Sequence, residues 1–569
     1  MVNTLSFDLV IVGSGIAGLR AALEATRESP KLRIAVLTKV QAMRSHSVCA
    51  EGGTAAVLRS DEGDSFDSHF QDTVLGSDFL ADQNVVERFV KEVPKEIFLL
   101  NQLGLPWSRR DDGKIDQRWF GGYSYPRTVY AGDRVGFFEM HTLYDTLQKF
   151  DNVEFFHEWY VTSIAKENEE FRGVIALEIK SGDLYSINGK AGILSTGGAG
   201  RLFDFTTYSH SSTADGLAMA YDKGLPLMDM EFIQFHPTAL VPSGILITEA
   251  ARGEGGLLKN KDGERFMKRY AASNIELAPR DVVSRAIIQE INEGRGVSGP
   301  NGIDHVFLDL TLLGEEKIKE RLPQIREISM NTIGVDPIEK PVPIRPAAHF
   351  SMGGIKINIE GETKLKGLWA AGEVSCSSLH GANRLGANST AECLVYGSIV
   401  GRNAAKYVSR ISKKSISNET IRIEEARIFD GLMKGISSEN PYLIKKELEE
   451  VMGLHAYVFR NGEGLANAIK KVRYLKKRIY GHVMDKSKEY NTNLIHVMEL
   501  DAMLKIAEVV LLGAFTRTES RGAHFRTDYP NRDDKIWLKH TCVYRSNDGP
   551  KIEYCPVNIS KMKPVARKF

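Results

Sequence analysis

Asp8-Leu9-Val10-Ile11-Val12-Gly13-Ser14-Gly15-Ile16-Ala17-Gly18 is the stretch that decides the fold. Its first five residues form an unbroken β-branched and leucine run, the mark of a strand buried on both faces of a parallel sheet. The run stops at a GxGxxG turn, after which Leu19, Ala22, Leu23 and Thr26 recur at helical spacing. Ile34-Ala35-Val36-Leu37 reads as a second strand and completes a βαβ unit. A lone GxGxxG is weak, but one placed between a strand and a helix near the N-terminus is a strong nucleotide-binding signal. Gly13 permits the turn, Gly15 lets backbone N–H groups reach a pyrophosphate at the helix N-terminus, and Gly18 allows the helix to pack closely on the strand.

Outward from this unit, the second strand ends in Thr38-Lys39, where a dinucleotide fold commonly places an acid on the ribose hydroxyls. A Thr hydroxyl or backbone groups can substitute. Gly192-Ile193-Leu194-Ser195-Thr196-Gly197-Gly198 and Gly367-Leu368-Trp369-Ala370-Ala371-Gly372-Glu373 read as further strands of the same domain, the second ending in an acid suited to a ribityl hydroxyl. Their separation implies a discontinuous domain. The expected fold is α/β: a Rossmann-like nucleotide domain in two parts, 1–238 and 351–414, an inserted α+β capping domain at 239–350, a helical domain at 415–526 and a small C-terminal domain at 527–569. In the helical part Leu443, Ile444, Leu448, Val451 and Met452 trace an apolar stripe, and Asn461-Gly462 marks a turn before the next helix. In the last part, Asn547-Asp548-Gly549-Pro550 predicts a short hairpin pairing Thr541 to Tyr544 with Ile552 to Tyr554.

At 569 residues the chain exceeds what one core supports, and its 42% hydrophobic and 26% charged content is that of a globular protein. Lys plus Arg at 74 against Asp plus Glu at 73 leaves a net charge of +1 with no single-sign block, which argues against nucleic acid as a partner. The five cysteines (Cys49, Cys376, Cys393, Cys542 and Cys555) are scattered without a CxxC, and fit neither a disulfide framework nor a zinc or iron–sulfur site. A reducing compartment is expected. The N-terminus lacks a signal-peptide pattern, and Val509-Val510-Leu511-Leu512 is too short to cross a bilayer, so any membrane contact is expected through another subunit.

Six segments carry chemistry. Arg44-Ser45-His46-Ser47-Val48-Cys49-Ala50-Glu51-Gly52-Gly53 places one histidine about thirty residues after the glycine turn. Downstream come Phe235-His236-Pro237-Thr238, Thr248-Glu249-Ala250-Ala251-Arg252-Gly253-Glu254-Gly255-Gly256, Ala278-Pro279-Arg280-Asp281, Ala348-His349-Phe350-Ser351-Met352-Gly353-Gly354 and His380-Gly381-Ala382-Asn383-Arg384-Leu385-Gly386-Ala387-Asn388-Ser389. Singly these are turn caps and surface pairs. Together, arginines and histidines in glycine-rich loops suit a pocket for a small dianion: Arg forks bind carboxylates bidentately and His donors add direction. No HxH, HExxH or clustered Asp/Glu pattern points to a metal.

With these motifs in this order, nearly the whole chain resembles the flavoprotein subunit of succinate dehydrogenase or fumarate reductase. The Arg517-Thr518-Glu519-Ser520-Arg521-Gly522-Ala523-His524 segment is similar to that family as well. The resemblance implies FAD, carried covalently through the imidazole of His46. Gly13, Ser14, Gly15, Ala17, Gly18, Thr38, Lys39, Ser45, Ser47, Glu51, Gly52, Gly53, Asp215, Glu373, Arg384 and Ser389 would bind the cofactor. His236, Thr248, His349 and Arg384 would grip the carboxylates of succinate or fumarate. Arg280 would move the proton while flavin N5 handles the hydride, Glu249 and Arg252 would relay protons, and His236 is the conservative alternative acid. Because a free guanidinium hardly ever deprotonates, a dry pocket beside Arg252 would have to lower that cost. Electrons would pass to a separate iron–sulfur subunit, then through membrane anchor subunits to quinone, with this chain peripheral on the cytoplasmic face of the membrane. L-aspartate oxidase resembles the chain in the dicarboxylate site but lacks the histidine corresponding to His46, and is the alternative reading.

Overall fold

The computed structural model describes residues 2–412, 415–435, 439–479, 483–547 and 549–567. Strand β1 (Asn3–Val12) leads through the glycine turn into helix α1 (Ile16–Glu28), and β2 (Ile34–Thr38) returns parallel to β1 with Leu9 opposite Ile34 and Val12 opposite Leu37. Leu9, Val10 and Ile11 are wholly buried, each contributing about 1.5–3 kcal/mol. The turn leaves no room for side chains. Gly13 sits at φ +105°, where a Cβ would lie 2.2 Å from the Ser195 carbonyl oxygen, and a Cβ on Gly18 would lie 2.1 Å from that of Gly13.

The sheet continues through β3 (Val153–His157), β4 (Trp159–Glu167), β5 (Glu170–Glu178) and β6 (Leu184–Leu194), in the order β3-β2-β1-β6-β5-β4. Next come α2 (Asp215–Asp222), the short β7 (Leu227–Met228) and β8 (Ile233–Leu240). Then β9 (Leu257–Lys259), α3 (Arg280–Glu290), β10 (Val306–Asp309) and β11 (Val342–Ser351) follow, and β8-β11-β10-β9 form an antiparallel sheet over a second apolar core. The boundary expected at 238 therefore falls inside β8, whose pairing with β11 runs from Ile233 to Leu240.

The chain leaves this sheet through β12 (Gly354–Lys356) and returns to the first one: β13 (Leu368–Ala370) pairs parallel with β6, Leu368 opposite Gly192. β14 (Ser375–Cys376) follows, and α4 (Asn388–Val408) packs along α1. The helical segment contains α5 (Pro441–His455), α6 (Gly462–Arg478) and α7 (Thr492–Thr516). Asn440, Asn461 and Asn491 cap them, each side-chain oxygen accepting a first-turn N–H. On α5 the buried stripe is Ile444, Leu448 and Met452, with Val451 at its edge; Leu443, expected in it, is 58% exposed because one residue turns the helix by 100°. Among the described residues no helix is long and apolar enough to cross a membrane.

The predicted hairpin forms as β15 (Lys539–Ser546) and β16 (Gly549–Pro556), with Thr541 opposite Tyr554; Asp548 of its turn lies outside the described residues. It does not stand apart as a small module. β15 pairs with β7, giving a five-stranded sheet β14-β12-β7-β15-β16. His540 Nδ1 meets Asp229 at 2.6 Å at this seam, and Arg567 reaches Asp281 at the start of α3.

Candidate active site

One cleft runs from the N-terminus of α1 to the sheet containing β8 and β11. Its nucleotide end is lined by Gly13, Ser14, Gly15 and Ala17, while Gly18 lies behind the turn, packed on Gly13. Ser14 Oγ donates to Thr38 Oγ1 at 2.9 Å. Lys39, in the position expected for an acid, donates to Asp215 at 2.5 Å, Glu499 at 2.6 Å and Thr213 at 2.7 Å. The acids of this end thus come from α2 and α7. Glu499 was absent from the sequence reading, since a glutamate on an amphipathic helix gives no signal of its own.

The His46 loop sits directly on the glycine turn. Ser47 Oγ accepts the Ile16 N–H, and Ser45 Oγ and Ser47 Oγ flank Gly15. The His46 ring stacks on Tyr208 with centroids 4.8 Å apart, and its Nδ1 accepts from the Ser209 N–H at 3.3 Å, which leaves Nε2 as the free ring nitrogen. Glu51, Gly52 and Gly53 continue the wall; Arg118 donates to the Gly52 carbonyl at 2.6 Å, and Glu51 Oε2 is buried without a partner. Cys49 lines the cleft and is exposed. Opposite, Glu373 Oε1 accepts from the Tyr208 hydroxyl and the Ser351 N–H, which leaves Oε2 for the cleft; Ser389 lines the same side at the start of α4. An elongated cleft with a side-chain-free phosphate turn, a carboxylate with one oxygen to spare and a free imidazole nitrogen fits FAD.

At the far end of the cleft, His236, Thr248, Glu249, Arg280, His349 and Arg384 converge. Arg280 donates from Nε to Glu249 Oε2 at 2.7 Å and from Nη1 to Gln234 Oε1 at 3.1 Å. The same Gln234 oxygen accepts from Arg384 Nη2 at 3.3 Å, and the Arg384 guanidinium lies 4.1 Å from the Phe350 ring centroid. Arg252 does not line the cleft; it is buried behind Glu249, with Nη2 3.7 Å from Oε2. His236 and His349 meet edge to face at 4.8 Å; His236 Nδ1 accepts from the Thr238 N–H, and His349 Nδ1 contacts Thr207 Oγ1 at 2.8 Å.

A family model described as an FAD binding domain matches residues 8–390, and one described as fumarate reductase flavoprotein C-term matches 445–569. The fumarate reductase flavoprotein subunit of Haemophilus influenzae is 42% identical over 100% of this chain and 97% of its own length. The succinate dehydrogenase flavoprotein subunit of Coxiella burnetii is 41% identical over 99% of this chain and 97% of its own. The chain belongs to the fumarate reductase and succinate dehydrogenase flavoprotein-subunit family. Its fold is that of the flavoprotein of E. coli quinol fumarate reductase, a variant of which superposes with a TM-score of 0.96 at 41% identity over 99% of both chains. It is an FAD-dependent oxidoreductase of that family, which disfavours the L-aspartate oxidase reading.

In this flavoprotein subunit, burial sets the charges. Burial and then the Arg384 cation lower His46 to about 4, so its imidazole is neutral. Burial and the neighbouring Arg280 hold His236 and His349 well below the ordinary histidine range, making both neutral hydrogen-bonding groups. Burial pulls Glu249 upward, but Arg280 and Arg252 keep it below the usual carboxylate value. Burial, with Arg280 next, brings Arg384 down to about 9, and burial raises Glu373 to about 7. Besides Glu499, sequence reasoning missed Gln234, Tyr208 and Arg118. Only Gln234 had a signal, lying two residues before His236.

Proposed function

We propose that this subunit interconverts succinate and fumarate, with the substrate at the arginine-rich end of the cleft under the 239–350 cap. When bound, FAD supplies the two-electron acceptor or donor for the substrate C–H bond. Arg384, His349, His236 and Thr248 hold the two carboxylates: the guanidinium carries the charge and the neutral imidazoles give directed N–H bonds. Arg280 moves the proton at the substrate carbon, and Glu249, bonded to Arg280 Nε and backed by Arg252, passes it onward. Burial and Arg280 hold His236 neutral, which supports a binding role for it beside Arg280.

His46 would carry FAD covalently. The ring is neutral and stacked on Tyr208; with Nδ1 accepting the Ser209 N–H, Nε2 holds the ring hydrogen, and a link through Nε2 would require that proton to leave. Gly13, Gly15, Ser14 and Ala17 would hold the pyrophosphate, Asp215 and Lys39 the ribose and Glu373 the ribityl chain, and Ser389 and Gly53 line the same cleft.

Electrons leave to a separate iron–sulfur subunit and through membrane anchor subunits to quinone, with the chain peripheral on the cytoplasmic face. No group of three or more potential metal ligands occurs among the described residues, which supports a partner holding the clusters.

The observation that carries the reading is that Arg280 and Arg384 share one acceptor, Gln234 Oε1, in the same cleft as His46. Succinate-dependent dye reduction by the flavin-loaded protein tests it. Aspartate-dependent peroxide formation without succinate turnover would replace it with the oxidase reading.

A further inference from the structure

The five cysteines are scattered in sequence, yet the fold brings two of them together. Cys542 on β15 and Cys555 on β16 are diagonal neighbours across the hairpin, since Cys542 lies opposite Glu553 and Cys555 opposite His540. Their sulfurs are 3.1 Å apart, about 1 Å from bonding distance. Lys356, at the end of β12 in the same sheet, places Nζ 2.9 Å from Cys555 Sγ and 3.9 Å from Cys542 Sγ. The two thiols differ in access: Cys542 is wholly buried against Met228 and Cys376, whereas Cys555 is half-exposed.

We infer that Cys542 and Cys555 are a dithiol–disulfide couple, a modification site in which Cys555 attacks low-molecular-weight disulfides and Cys542 resolves the product. An accessible thiol beside a cation, with a buried thiol in contact behind it, has the parts such exchange needs. In the first step the Cys555 thiolate attacks one sulfur of the small disulfide, forming a mixed disulfide and releasing one small thiol. In the second step Cys542 Sγ, losing its proton, displaces the other small thiol and closes the Cys542–Cys555 bond. Two electrons and two protons pass from the pair to the small disulfide, which leaves as two thiols. Lys356 serves the first step by holding negative charge on Cys555 Sγ. Burial pushes the Cys542 thiol up, which suits it to second place in the sequence.

The test uses the full chain equilibrated with mixtures of reduced and oxidised glutathione, quenched by alkylation and digested with trypsin. Cleavage after Lys539, Arg545, Lys551 and Lys561 puts Cys542 on peptide 540–545 and Cys555 on peptide 552–561, so the bond is read as a linked peptide pair. The linked pair is expected with loss of two thiols, and Cys376→Ser is expected to leave it unchanged. Cys542→Ser should stop at glutathione on Cys555, and Cys555→Ser should leave Cys542 unmodified. Lys356→Gln should slow the first step about threefold, because the cation 2.9 Å from the attacking sulfur is lost. Five free thiols in the wild type under oxidising mixtures, or glutathione on Cys555 that never resolves, would overturn the couple. Unchanged exchange in Lys356→Gln would remove the lysine from it.

Discussion

Arg280 and Glu249 are joined by a 2.7 Å hydrogen bond from Nε to Oε2, with side chains only 7% and 1% exposed. Glu249 Oε1 is meanwhile held by the Gly121 N–H at 2.7 Å, so the carboxylate is clamped on both oxygens. A charged pair this dry keeps its geometry only through such secondary bonds.

Arg280→Lys keeps a positive charge but loses the fork that reaches Glu249 and Gln234 together. Dicarboxylate binding, read from perturbation of the flavin spectrum, should persist while kcat falls by about 10²–10⁴-fold. Near-normal turnover would take proton transfer away from Arg280.

Gln234→Ala removes the shared acceptor and leaves donors on both arginines without a partner in a buried site. Losing one partner of a buried bond costs about 1–3 kcal/mol, so KM for the dicarboxylate should rise by about 5- to 150-fold. A KM equal to that of the wild type would show that the arginines are held by other contacts.

His46→Ala should convert acid-stable flavin into flavin released on precipitation, with the released cofactor measured in the supernatant. Free flavin from the wild type under the same treatment is the contrary result.

His540 gives a pH signature outside the cleft. Burial opposes its charge, but Asp229 at 2.6 Å and Asp82 at 3.4 Å raise it to about 10. Because the folded value lies above the unfolded one, its stabilisation is complete below about pH 6.5 and is lost as pH rises through about 10, on the order of 5 kcal/mol in all. The melting temperature of wild type should exceed that of His540→Gln at pH 6, with the gap closing toward pH 10. A gap independent of pH would mean that His540 acts through packing alone.

The βαβ unit was legible because a doubly buried strand, a glycine turn and a helix each leave a local pattern in the residues. The return of Gly367 to Glu373 to the first sheet was legible too, from another short apolar run ending in small residues and an acid. The partners of Lys39 were not: Glu499 reaches it from 460 positions away, and nothing on its own helix marks it. Nor was the pairing of the C-terminal hairpin with Leu227–Met228, since a two-residue strand has no periodicity to read. The arginines and histidines expected to grip a dicarboxylate stood out as a set because glycines surround them. Gln234 escaped because an amide carries no charge to draw attention.

The Lys39–Glu499 contact sets an order of events during synthesis. A nascent chain that has emerged only as far as α6 already displays the glycine turn, His46, Arg280 and Arg384, yet its Lys39 faces Asp215 without the second acid. The nucleotide end of the cleft gains its Glu499 carboxylate only when α7 leaves the ribosome.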